Sequence, residues 1–133
     1  MTRYLTPTAR ILLGLIFTVT GLNGFLNFLP RPAAPMPAGA VAFAGAMLKT
    51  GYLMPLLMAT QLISGLLLLA GRWVPLALAL LSPVVVNIVA FHLFLAPAGL
   101  PLAGLVLVLE IFLAWAYRGA FLPMLSRRVT PGR

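Results

Sequence analysis

The chain has 133 residues, of which 62% are hydrophobic and only 8% charged, whereas roughly a quarter of a soluble domain is charged. No globular core of this size could hide so much apolar surface, so the expected solvent is lipid and the expected unit is one integral membrane domain spanning 1–133. Nine Arg and Lys stand against one acid, Glu110, for a net charge of +8; they lie between apolar stretches with no interleaved aromatic patch, which reads as membrane anchoring and excludes nucleic acid as the expected partner.

Four apolar stretches have the length of a bilayer-crossing helix, about 20 residues. They fall at about 10–29, 52–70, 74–95 and 101–117, and helices are required because lipid cannot satisfy an open backbone. The first is preceded by Arg3 and Arg10, but it is long, contains Asn23 and Asn27, and shows no cleavage site, so it reads as a retained helix rather than a signal peptide. The Pro-rich "PRPAAPMP" that follows is an extended connector. Residues 38–50 are too short to span and read as an interfacial helix ended by Gly51. Pro55, Pro75 and Pro101 lie in the first turns of the next three spans, where a missing N–H costs nothing. Pro83 lies inside the third span and should kink it, with Ser82 placed to bond a freed carbonyl. The fold class is therefore all-α, a four-helix transmembrane bundle with a short interfacial helix between helices 1 and 2.

Four passes put both termini and the 71–73 turn on one side. That side holds Arg3, Arg10, Arg72, Arg118, Arg127, Arg128 and Arg133, whereas the other holds Arg31 and Lys49. The positive-inside rule then predicts a bacterial cytoplasmic (inner) membrane protein with both termini in the cytoplasm.

Depth sharpens the reading of the polar residues. Asn23, Gln61, Asn87 and Glu110, one per span, lie about six to ten residues from the outer ends, or roughly 9–15 Å deep. Lipid-facing polar groups are costly, so the four are expected to converge inside the bundle as a ligand-binding layer. Asn27 and His92 form a shallower pair at the outer mouth, and Phe25, Phe28, Phe91 and Phe94 are candidates for an apolar lining. Thr20, Asn23 and Asn27 make one stripe on the first helix, and Gly14, Thr18 and Gly21 make a small-residue stripe suited to close contact. Each polar residue also has a plainer reading. The amides can be interhelical packing bonds, His92 can bond a loop carbonyl or a lipid headgroup, and Glu110 can lock the fold through Asn87 or Gln61. Glu110 is the strongest functional candidate, because a carboxyl at mid-membrane depth marks function by default.

The chemistry is bounded by what is missing. With no cysteine, one histidine and one carboxylate, the chain cannot build a thiol relay, an Fe–S cluster, a dinuclear metal site or an acid–base carboxylate pair. No catalytic residue and no metal ligand set is assigned, and a self-contained enzyme is not expected.

The stretches "GLIF…GLNGFLNFLP", "GYLMPLL", "GLLLLAGRWVPLALALLSPVVVNIVAFHLFLAPAGLP" and "LEIFLAWAYR" resemble the DoxX-like family of small four-helix bacterial membrane proteins, over about residues 9–124. The family is similar to the small membrane subunit of a thiosulfate:quinone oxidoreductase. The resemblance implies an accessory subunit of a quinone-linked membrane redox system, with a quinone as the implied cofactor. Glu110, Asn87 and His92 match the family pattern; Gln61 stands where relatives often carry Glu, and Asn27 where they often carry His. Partners expected on these grounds are the lipid bilayer, another membrane redox protein, or a second copy of the chain. Two other functions remain open, a small proton-coupled transporter using Glu110 and a membrane scaffold or chaperone.

Overall fold

In the computed structural model, residues 2–30 and 34–132 are described. Arg31 and Arg133, assigned above to opposite sides of the membrane, lie outside the described residues. The elements are α1 (Thr2–Leu26), α2 (Ala38–Lys49), α3 (Leu53–Ala70), α4 (Val74–Phe94), α5 (Leu100–Ala116) and α6 (Arg118–Phe121), with 3-10 turns at Pro97–Gly99 and Leu122–Leu125. The described residues contain no strand. The fold is an all-α four-helix bundle of α1, α3, α4 and α5.

The bundle differs from a soluble protein in being apolar outside as well as inside. Gln61, Ser64 and Glu110 are buried, while Val86, Val108 and Ile111 each turn more than half of their surface outward. The few polar side chains of the spans are thus drawn into an otherwise apolar centre, while many aliphatic ones face the surroundings. Four helices are long and apolar enough to cross a membrane. With the apolar exterior, this makes the chain a multi-pass membrane protein.

Local sequence explains where each helix begins and ends. Pro55, Pro75 and Pro101 all fall in first turns, as expected. Gly51 and Gly71 adopt positive φ after α2 and α3, the left-handed stop that glycine takes without steric cost. Helix α1 differs from its expected bounds at both ends. It begins near Thr2, because a helix can run past the apolar span through polar residues; Pro7 lies so near the start that it deprives only the Arg3 carbonyl. It stops at Leu26 because Asn27 turns left-handed, with φ 50°. Helix α4 continues through Pro83. The Ser82 hydroxyl donates to Leu78 O at 2.8 Å, and not to the Ala79 carbonyl, four residues before Pro83, that the proline leaves free.

Helices α1 and α3 pack backbone to backbone. A β-carbon on Gly65 would lie 2.6 Å from Thr18 N, and one on Gly21 would lie 2.7 Å from Leu62 N. The Gly14, Thr18 and Gly21 stripe thus meets α3 at Leu62 and Gly65, as the small-residue pattern predicts. Arg10 extends from α1 to the far end of α3, where its Nη1 donates to Leu68 O and, at 3.4 Å, to Leu69 O. It satisfies carbonyls that the helix end leaves open and places positive charge on the negative end of the dipole. Leu13, Phe17, Leu68, Leu78, Leu81 and Leu113 complete the core between the helices.

Candidate functional site

Every long helix contributes to one small chamber. Its walls are Ile16, Phe17 and Thr20 of α1, Gln61 of α3, Ile88 and His92 of α4, and Leu102, Ala103 and Val106 of α5, around a volume of about 170 Å³. The lining is apolar apart from Thr20, Gln61 and His92.

Gln61 is 6% exposed although it is an amide deep in an apolar helix. Its Oε1 lies 3.2 Å from the Thr20 hydroxyl, which also donates to Ile16 O at 2.8 Å. With the one hydroxyl hydrogen committed to Ile16 O, a half-turn of the amide puts its N–H on Thr20 and its carbonyl into the chamber. In either orientation one end of the amide has no protein partner among the described residues and is free to bond a guest.

His92 stands in a second wall. Its Nδ1 lies 3.2 Å from Ala96 O, and a carbonyl can only accept, so Nδ1 carries the hydrogen. In the neutral ring Nε2 is then a bare acceptor. The imidazole rests directly on Gly99 and edge-on to Phe91, at 5.2 Å between ring centroids. His92 and Ile88 also border a groove of about 220 Å³ beneath α2, walled by Phe43, Met47, Met54 and Met58.

The four residues expected to form one layer do not meet. Gln61 bonds Thr20 in the chamber. Glu110 sits one turn of α5 beyond Val106, buried at 6% exposure, and receives the Ser82 hydroxyl on Oε1 at 3.2 Å. Neither Asn87 nor Gln61 is its partner. Its Oε2 is buried without a hydrogen-bond partner among the described residues, as are Ser64 Oγ and Thr18 Oγ1. Asn87 is exposed on the α2 side of α4 and borders the groove there. Asn23 accepts from the Leu29 backbone N–H at 2.8 Å and so closes the end of α1.

The shallower pair separates as well. Asn27 holds the left-handed residue that ends α1 and does not line the chamber, whereas His92 does. Of the four phenylalanines, Phe91 borders the groove and meets Phe43 of α2 at 5.5 Å. Phe25, Phe28 and Phe94 are exposed by 50%, 50% and 78% and face outward, because a phenylalanine at the end of a span is as well placed in lipid as in a pocket.

Two chamber residues were legible but unused. Phe17 and Ile16 precede Thr20 by three and four positions, so the helical repeat that selects Thr20 also selects them. Among the described residues no three His, Cys, Asp or Glu side chains come together as metal ligands. No family model matches the chain, and no curated protein and no solved structure is significantly similar to it.

Proposed function

We propose that this protein is a DoxX-like accessory subunit of a quinone-linked redox system, holding the ring of a small amphipathic molecule between Gln61 and His92. The chamber carries this reading: it is a small cavity walled by all four long helices, apolar around its girth, with an amide and an imidazole facing in. Its volume is close to the roughly 150 Å³ of an apolar cavity that admits benzene, so one ring fits and any tail must leave. The groove beneath α2 shares Ile88 and His92 with the chamber and gives a tail its route outward.

The polar pair suits the hydroquinone at both residues and the quinone at Gln61 alone. Gln61 can offer N–H to a ring carbonyl or its own carbonyl to a ring hydroxyl, and His92 Nε2 accepts from a hydroxyl. When bound, a quinone would supply two-electron, two-proton chemistry. This chain holds and orients it, and the electron donor belongs to a partner. The arginine excess at the end carrying the termini supports a cytoplasmic placement of that end in a bacterial cytoplasmic membrane.

Protein purified in mild detergent is expected to carry a quinone-class lipid, detected by mass spectrometry of its solvent extract. Gln61→Leu is expected to lose it while keeping helical content. The reading fails if wild type carries no such molecule, or if Gln61→Leu retains it in full.

Glu110 favours a second reading. A buried carboxyl with one oxygen unbonded also suits a proton-coupled transporter. In that case Glu110→Gln would abolish substrate uptake into vesicles and leave the bound quinone unaffected.

A further inference from the structure

The end of the bundle that carries the termini holds a site that shares no lining residue with the chamber. A cavity of about 420 Å³ lies between Arg3 and Thr6 of α1, Trp115 and Ala116 of α5, and Arg118. Arg118 is held by an aromatic ring and a backbone carbonyl, and Arg3 lies near the ring of its neighbour Tyr4. Arg118 Cζ stands 4.5 Å from the Trp115 ring centroid, with Nη1 donating to Trp115 O at 2.9 Å, and Arg3 Cζ lies 5.9 Å from the Tyr4 ring. No acidic side chain can neutralise them, because the single carboxylate side chain of the sequence is Glu110, which is buried and bonded to Ser82. Two cations beside a hydroxyl, one of them held in place and neither facing an acidic side chain, form a receptor for an anion.

The same two helices continue as a groove of about 320 Å³, with Leu5, Ala9 and Leu12 facing Val108, Leu109 and Phe112. The Thr8 hydroxyl donates to Tyr4 O at 2.7 Å and is thereby satisfied, so the groove is apolar in effect. The Phe112 and Trp115 rings, 6.4 Å apart, link the groove to the cationic cavity. An anion site at one end and an apolar furrow running from it toward mid-membrane match the two halves of a phospholipid.

We propose that the α1–α5 seam binds an anionic phospholipid, its phosphate between Arg3 and Arg118 and one acyl chain along Leu12, Val108 and Phe112. A soluble anion has no use for the furrow. A zwitterionic lipid brings its own cation against two arginines that have no acidic side chain beside them. The seam is independent of the chamber, so either assignment can fail while the other stands.

Native mass spectrometry of the full chain in detergent tests this, with equal amounts of phosphatidylglycerol and phosphatidylcholine of identical acyl chains. Wild type is expected to retain the phosphatidylglycerol about tenfold better, on the scale of an attraction shared by two arginines. Arg3→Gln/Arg118→Gln should equalise the two lipids, and Val108→Trp, which fills the furrow, should weaken retention of both. All three side chains are exposed, and circular dichroism verifies that the variants keep the wild-type helix content. Equal retention of the two lipids by wild type overturns the proposal without reference to any variant. An undiminished preference in the double arginine variant, or unchanged retention in Val108→Trp, overturns it too. Displacement of phosphatidylglycerol by millimolar inorganic phosphate alone would assign the site to a soluble anion instead.

Discussion

The imidazole of His92 occupies the space that a side chain at position 99 would need. A β-carbon added to Gly99 would collide with the ring at Nδ1 and Cε1. The backbone of Gly99 is ordinary, with φ −89°, so glycine is needed here for room and not for conformation. The chain reverses from α4 into α5 at this point, and the absence of a side chain lets it close over His92.

Gly99→Ala is therefore expected to displace His92 and destabilise the protein by about 1–3 kcal/mol, the usual range for overpacking. In a His92→Ala background the same change should cost little, because the colliding ring is gone. A double-mutant cycle read by thermal melting in detergent should give a coupling of about 0.5–3 kcal/mol. Additive effects of the two changes would mean that the ring does not rest on Gly99 in the membrane protein.

Two glycines separate close packing from mere flexibility. At Gly65 a β-carbon would meet Thr18 N at 2.6 Å, whereas at Gly104 nothing lies within 4 Å. Gly65→Ala should push α1 from α3 and destabilise by about 1–3 kcal/mol. Gly104→Ala in α5 should stabilise by about 0.4–1 kcal/mol, since alanine restricts the unfolded chain. Thermal unfolding in one detergent ranks the pair, and equal melting temperatures would contradict the close approach of α1 and α3.

The four spans were legible because crossing a membrane depends on local composition and length, which the chain displays openly. The Gly14–Thr18–Gly21 stripe was legible because small residues at helical spacing have few other uses in lipid. The polar layer was not. Depth along a helix can be counted, but rotation about its axis cannot be read from depth alone. Asn87 lies five residues past Ser82, or about 140° around the helix, so when Ser82 faces Glu110, Asn87 turns toward α2. Asn23 and Asn27 serve the backbone at the end of α1, a use of asparagine that hides among binding candidates. Arg10 looked like a headgroup anchor and instead caps α3, a contact across 58 residues of sequence.

The chain contains no cysteine, so topology can be probed without background. Single cysteines replacing Arg72 and Arg128 should be shielded from an impermeant thiol reagent in intact cells, and one replacing Ala34 should react. Labelling at position 72 without lysis would contradict the cytoplasmic placement of the α3–α4 turn.

Glu110 has two possible reasons to be where it is, and stability separates them. The Ser82 hydroxyl already donates to Leu78 O at 2.8 Å and only more distantly, at 3.2 Å, to Glu110 Oε1. Removing the carboxyl therefore leaves Ser82 satisfied. It also removes Oε2, which is buried without a partner, and an unsatisfied buried polar group costs about 1–3 kcal/mol. Glu110→Leu is accordingly expected to melt no lower than wild type, and Glu110→Gln to melt close to it. If instead Glu110→Leu lowers stability by about 1–3 kcal/mol while Glu110→Gln does not, the carboxyl is structural and its hydrogen bond is what the bundle needs. A variant that is stable yet fails in vesicle uptake or in retention of the co-purified lipid would mean that Glu110 is kept for function. Measuring the melting temperature, vesicle uptake and the bound lipid for the same variants distinguishes these outcomes, because a packing role moves the first and a functional role moves only uptake or the bound lipid.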